Sequence, residues 1–180
     1  EEYGGYGRDI LATTVAVEEL SRRSMVIATL YLMNSCYGSM NILASGSDEQ
    51  KQRLLPRLAN GEILFAYGLS EPDVGSDLAS VKTRAERRGD KVIINGTKRW
   101  CSGAESADYI YALVRSGEPD ARYKNLSIVL IPPTAKGVTL THIPARGARG
   151  LNTNDVTLDN VEIGIEDVVG SRVEDLDAEI

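Results

Sequence analysis

Two stretches of the 180-residue sequence carry residue types suited to holding a flat ligand with polar edges. The first is Tyr67-Gly68-Leu69-Ser70-Glu71-Pro72-Asp73-Val74-Gly75-Ser76-Asp77, which leaves the end of an expected strand. A rigid proline beside two glycines and two serines makes a backbone-exposing loop. Its N–H groups and hydroxyls could bond a heteroaromatic ring or a pyrophosphate. On composition alone an ordinary loop is the simpler reading. The second stretch is Gly96-Thr97-Lys98-Arg99-Trp100-Cys101-Ser102-Gly103-Ala104, with the sole tryptophan of the sequence. If Trp100 faces one side of a strand, Cys101 faces the other and Ser102 returns to the first. One face then pairs an aromatic wall with a hydroxyl two residues away, for stacking on a ring and bonding its edge. The competing reading is a core tryptophan beside an incidental serine.

Other chemistries lack their residues. Gly4-Gly5-Tyr6-Gly7 has the wrong spacing for a dinucleotide turn and follows no strand. Phosphate-loop, zinc-spacing, nucleophile-elbow and triad patterns are absent. Cys36 and Cys101 are far apart, which fits a reduced compartment rather than a disulfide scaffold. His142 is the single histidine, read as structural or surface. Arg146 and Arg149 could meet a phosphate, although a solvated loop is the safer reading. Glu71 and Asp77 read as residues that stabilise their own loop. A net charge of −6 argues against nucleic acid or an anionic membrane as partner.

Taken together, the two stretches resemble the acyl-CoA dehydrogenase family. Tyr67 to Ser76 is similar to its loop of the form aromatic-x-apolar-Thr-Glu-Pro-x-x-Gly-Ser-Asp, and Trp100-Cys101-Ser102 to its Trp-apolar-Thr step. Further matches fall in the same order: Glu2-Tyr3-Gly4-Gly5; Gly46-Ser47-Asp48-Glu49-Gln50-Lys51 through Leu55-Pro56 to Gly61-Glu62; Asn152 to Val161; and Val168-Val169-Gly170. The resemblance covers almost the whole chain. It implies an α+β fold of N-terminal helices followed by an antiparallel β-barrel or sandwich. Residues 1–61 would be part of the N-terminal helical domain and 62–170 the middle, FAD-binding β domain. Residues 171–180 would begin the C-terminal helical region, whose bundle lies outside this sequence.

The resemblance also implies the chemistry: FAD-dependent α,β-dehydrogenation of an acyl-CoA, with electrons passed to an electron-transfer flavoprotein. A glutamate base removes the α proton while hydride leaves the β carbon for the flavin. In this family that base comes from the C-terminal bundle, so no acidic residue here takes its role. Leu69 and Ser70 would meet the flavin pyrimidine edge, Ser102 would reach N5, and Trp100 would pack on the rings. Ser76 would sit where FAD and the CoA arm of the substrate meet, with Tyr67, Gly75 and Cys101 completing the walls. Ser70 and Ser102 stand where threonine is usual, which keeps the hydroxyl and loses the methyl that restrains its rotamer. Cys101 and Gly103 also depart from the pattern. A homotetramer is usual for the family, in the cytoplasm of a bacterium or the mitochondrial matrix of a eukaryote. An acyl-CoA oxidase, a flavin monooxygenase and a non-catalytic partner subunit are the alternatives.

The elements that must position these stretches change texture near residue 62. Before it, Asp9 caps one helix with Ile10, Leu11, Val15 and Leu20 at helical spacing. A second helix fits 24–44, with Met25, Leu30, Met33, Tyr37 and Met40 as candidate core. Its Asn34, Ser35, Ser39 and Asn41 argue against a membrane span. A third runs from a Ser47 cap to Asn60-Gly61, with Pro56 expected to kink or break it. Beyond residue 62, strands are expected near Val81–Arg87, a turn at Gly89-Asp90, then Val92–Ile94, a hairpin at Asn95-Gly96, and 108–115, 125–131, 137–143 and 155–161. The opening Glu1-Glu2-Tyr3 shows no signal-peptide pattern.

Overall fold

The structure is a computed structural model that describes residues 1–7, 9–117, 123–147 and 149–170. The expected C-terminal helical start, 171–180, lies outside the described residues. Helices α1 (Ile10–Ser21), α2 (Met25–Leu32), α3 (Met40–Ser45) and α4 (Asp48–Ala59) precede the sheet. Asp9 and Ser24 cap the first two through bonds to the N–H groups of Ala12 and Ile27. Between α2 and α3 the backbone passes through a π-helical segment, Met33–Ser39. Wider turns of this kind open the backbone ladder, and here they carry Asn34 inward. Its amide donates to the carbonyls of Leu58 and Ile63 at 3.2 and 3.0 Å, tying this helix to the end of α4. Among the described residues no helix is long and apolar enough to cross a membrane.

Two helical expectations change. Ile10, Leu11 and Val15 are exposed, and of the candidate core of the second helix only Met33 is buried. Helix α4 runs unbroken through Pro56. The ring removes one N–H donor near the end of the helix, and the Pro56 carbonyl still accepts from the Asn60 N–H at 3.0 Å. A reciprocal Ser47–Gln50 capping box starts α4. The Gln50 amide then donates to the carbonyls of Glu166 and Val168, fastening the helix to the far end of the sheet.

The strands are β1 (Phe65–Gly68), β2 (Arg84–Arg88), β3 (Lys91–Ser102), β4 (Tyr109–Arg115), β5 (Leu126–Ile131), β6 (Val138–Ile143), β7 (Thr153–Gly164) and β8 (Val168–Val169). They form one sheet in the order β6-β7-β3-β2-β4-β5-β8, with β1 also on β4. Most pairings are antiparallel, as expected, but β1 and β2 both meet β4 in parallel, so the sheet is mixed. Burial explains the near-continuous apolar run of β4. Ile110, Ala112 and Val114 enter the main core with Val92, Ile94 and Val156, while Tyr111 turns to the helix side with Leu54, Leu58 and Phe65. A strand covered on both faces loses the apolar–polar alternation.

The hairpin expected at Asn95-Gly96 is absent. The turn lies at Gly89-Asp90, where Arg88 pairs with Lys91, and β3 continues through Asn95 as one twelve-residue strand. The glycine serves close approach instead. A Cβ on Gly96 would lie 2.6 Å from the Thr83 hydroxyl and 2.7 Å from its Cα, and the register shifts between Ile94 and Gly96. Asn95 uses its side chain across the sheet, accepting from the Asn160 N–H at 2.8 Å.

Candidate active-site wall

The loop after β1 folds back on itself. Glu71 and Val74 exchange both backbone hydrogen bonds, at 2.8 and 3.2 Å, with Pro72 and Asp73 between them. The Glu71 side chain turns inward and is only 6 % exposed. Its Oε1 accepts from the Thr83 N–H and hydroxyl at 2.9 and 2.6 Å and from Lys98 Nζ at 2.8 Å; its Oε2 accepts from the Lys82 N–H at 2.8 Å. Burial alone would raise this carboxyl. The bonds from Lys98, Thr83 and Lys82, with the Lys98 charge, outweigh burial and hold it below the usual carboxylate range. Lys98 is fully buried, and burial lowers its ammonium despite the partner. The two shifts pull on the pair in opposite senses. The ionised Glu71 is the firmer side, because four donors converge on it. A carboxylate so committed is a strut and not a free base.

Lys98 and its neighbour Arg99, both in β3, bind the loop to the tryptophan segment. Lys98 Nζ donates to the Leu69 carbonyl at 3.4 Å, and the Arg99 N–H to the Ser70 carbonyl at 2.8 Å. Leu69, Ser70 and the start of Lys98–Ser102 therefore form one hydrogen-bonded unit, although about thirty residues separate them in sequence.

Next to that joint β3 bulges. Lys98 opposes Val156 and Cys101 opposes Asn154, so Arg99 and Trp100 share the single partner Asp155. Such an extra residue bends a strand and re-aims side chains. Trp100 takes it up with φ 61°, a conformation rare for a bulky residue and costing about 1–3 kcal/mol. Its indole is 57 % exposed, so the core-tryptophan reading fails. The Arg99 guanidinium lies 4.9 Å from the ring centroid, and Arg99 Nε lies 3.5 Å from Asp155 Oδ1. Trp100 and half-buried Ser102 lie on the more open side and fully buried Cys101 inward, the alternation expected from sequence.

The remaining candidates fall around this unit. Burial pushes the Cys101 thiol up to about 12 against the charge of Lys98, which leaves it an inert apolar filler. The Ser102 and Thr153 hydroxyls are hydrogen-bonded at 2.9 Å, either able to donate. Tyr67 stacks on Tyr111 with ring centroids 5.2 Å apart, meets Tyr37 at 4.8 Å, and receives a hydrogen bond from the Asn41 amide. Burial pushes its hydroxyl well above the ordinary tyrosine value, so it stays protonated. Gly75 and Ser76 are exposed beyond the turn, away from the bonds that unite Leu69, Ser70 and Lys98. Asp77 accepts from Ser80 Oγ at 2.6 Å, a bond within the loop. His142, Arg146 and Arg149 are exposed. Among the described residues there is no cluster able to hold a metal. Two cavities, about 170 Å³ between Gln50, Arg53 and Glu166 and about 450 Å³ beside Tyr3 and Pro56, are lined by neither stretch.

Sequence reasoning did not single out Lys98, Thr83, Asp155 or Tyr111. Lys98 had no legible signal, because it sits in the polar run Thr97-Lys98-Arg99 whose other members are only half-buried. The bulge had none, because a pairing count needs both strands.

A mixed sheet behind a helical layer, with a polar loop and a strained, outward tryptophan joined on one edge, is the frame of a known fold class. The sequence matches the family model described as acyl-CoA dehydrogenase, middle domain, over residues 66–161 and the one described as acyl-CoA dehydrogenase, N-terminal domain, over residues 1–62. The chain belongs to the acyl-CoA dehydrogenase family. It is 34 % identical over 175 residues to acyl-CoA dehydrogenase FadE26 of Mycobacterium tuberculosis, covering 96 % of this chain and 42 % of that protein. Its structure is similar to a glutaryl-coenzyme A dehydrogenase in complex with glutaryl-CoA, at TM-score 0.87 and 32 % identity over 94 % of this chain and 44 % of the other. It is also similar to a glutaryl-CoA dehydrogenase from Mycobacterium smegmatis in complex with FADH2, at TM-score 0.69 and 31 % identity over 78 % and 35 %. The chain thus spans less than half the length of these relatives.

Proposed function

We propose that this chain supplies the later N-terminal helices (residues 1–61), the middle β domain (62–170) and the start of the C-terminal region (171–180) of an FAD-dependent enzyme. That enzyme dehydrogenates an acyl-CoA to its trans-2-enoyl-CoA and passes electrons to an electron-transfer flavoprotein. One observation carries the reading: Trp100 is held outward at positive φ, directly beside the anchored Leu69–Ser70 backbone. An exposed indole face and fixed polar edges fit a flat heteroaromatic ring, and stored backbone strain is characteristic of functional sites. FAD, when bound, would accept the hydride and hand its electrons on.

The chain's own residues have three tasks on this reading. Leu69 and Ser70 bond the polar edge of the ring, Ser102 donates near its reactive nitrogen, and Trp100 packs against it. Tyr67 and Gly75 complete the walls, Cys101 backs them from its buried position, and exposed Ser76 contacts both cofactor and the CoA arm. The aromatic stack under Tyr67 keeps water from that side. The base comes from outside residues 1–180, since Glu71 is fully committed to its donors. The full-length protein is proposed to assemble as a homotetramer, in the bacterial cytoplasm or the mitochondrial matrix.

The test is spectroscopic. Full-length protein should be yellow and should bleach anaerobically when a saturated acyl-CoA is added. A colourless protein that FAD cannot reconstitute contradicts the proposal. Rapid reoxidation of the bleached flavin by oxygen would reassign it to an acyl-CoA oxidase or a flavin monooxygenase of the same fold.

A further inference from the structure

Lys98 is a fully buried lysine in the middle of a strand, and a buried charge is expensive unless its bonds are used. An apolar pair could fill the same space at less expense. What an ammonium adds is direction: Nζ reaches both Glu71 Oε1 at 2.8 Å and the Leu69 carbonyl at 3.4 Å. Gly68 packs beside its stem: a Cβ there would meet Lys98 Cγ at an ordinary 3.5 Å and crowd Ile110 at 2.9 Å. Its place in the strand has a second effect. Lys98 and Cys101, both fully buried, bracket the bulge at Arg99-Trp100, where the register against β7 shifts. The extruded side chain thus lies between two buried anchors.

We infer that Lys98 is a positioning residue whose burial under the loop sets the Leu69–Ser70 backbone and the outward Trp100 in one register. The register is a property of this chain, and its purpose, holding the flavin, rests on the reading given above. Glu71 is the counter-charge that makes the buried ammonium tolerable.

The experiment uses full-length flavoprotein labelled with 5-fluorotryptophan, with the Trp100 resonance assigned by Trp100→Phe. Lys98→Met alone leaves Glu71 buried and unpaired. The double variant Glu71→Gln/Lys98→Met removes that charge, so melting temperature returns toward the parent while the tie to Leu69 stays broken. In the double variant the Trp100 resonance should shift or split, the visible flavin band should move, and flavin reduction should slow by about 10- to 100-fold, as expected for a small misplacement. Glu71→Gln alone keeps the amine on Leu69 and should preserve the resonance. A double variant with the parental resonance and flavin band reduces Lys98 to a space-filler and overturns the inference. So does a shift in Glu71→Gln as large as in the double variant. If the double variant does not fold, Lys98→Arg decides: the planar, longer head cannot reproduce both bonds, and a parental Trp100 resonance there also overturns it. Should the parent protein fail to bind FAD, the flavin reading falls, while the Trp100 resonance still judges Lys98.

Discussion

The two ends of strand β3 follow different physics. At its start Val92, Ile93 and Ile94 are buried, paired regularly with β2 and β7, and free of polar side chains. At its end the same strand buries a lysine, breaks its register, and turns a tryptophan into the open at positive φ. The first end gains stability from apolar burial. The second spends stability on a buried ion pair and a strained backbone, and gains a defined polar and aromatic surface. Departures from local rules that persist in this way mark the part of a fold committed to function.

That contrast can be broken from either side. The largest effect should come from Glu71→Ala, which strands Lys98 without a counter-charge and should lower unfolding free energy by about 3–5 kcal/mol, measured by chemical denaturation. The pH dependence follows from the same group. Glu71 titrates lower in the folded chain than its ordinary 4.5, so the unfolded state binds more protons there. Its contribution is present above about pH 4.5 and is lost as pH falls through the lowered folded value. In Glu71→Gln that acid-limb loss should flatten. A parental acid limb in that variant would mean that other carboxylates dominate.

Gly96→Ala tests the junction between the two ends. The added methyl meets Thr83 at 2.6–2.8 Å, and Thr83 is tied to Glu71, so crowding should reach the loop. We expect a loss of about 1–3 kcal/mol. A neutral outcome would mean that β2 yields at Thr83 without disturbing Glu71. Trp100→Ala sharpens the comparison with the smallest effect. An indole 57 % exposed contributes little to folding, so stability should stay within about 0.5 kcal/mol. A large destabilisation would make Trp100 a core residue and erase the distinction between the two ends.

The residue types and order of the two stretches were legible in the sequence, as were the helical-then-strand layout and the strand positions. The Gly89-Asp90 turn was visible as well. What was illegible depends on partners distant in the chain. Asn95-Gly96 has the local chemistry of a hairpin, but the approach of Thr83 and the pairing with β7 keep it in mid-strand. Ile10, Leu11 and Val15 have helical spacing, yet spacing says nothing about what packs against them. The parallel pairings of β4 arise because β1 and β2 both arrive on its one edge, a topological fact with no local signature. Trp100 stood out in the sequence as the sole tryptophan, but its outward turn comes from a bulge defined jointly with Asp155.

On the proposed reading, the Leu69–Ser70 loop and Trp100 form one wall against an isoalloxazine ring. The most direct test is the fluorine resonance of 5-fluorotryptophan at position 100 in deflavinated full-length protein, followed as FAD is added back. A ring-current shift that saturates at one FAD per chain is expected. FAD bound stoichiometrically with the Trp100 resonance unmoved would contradict that reading.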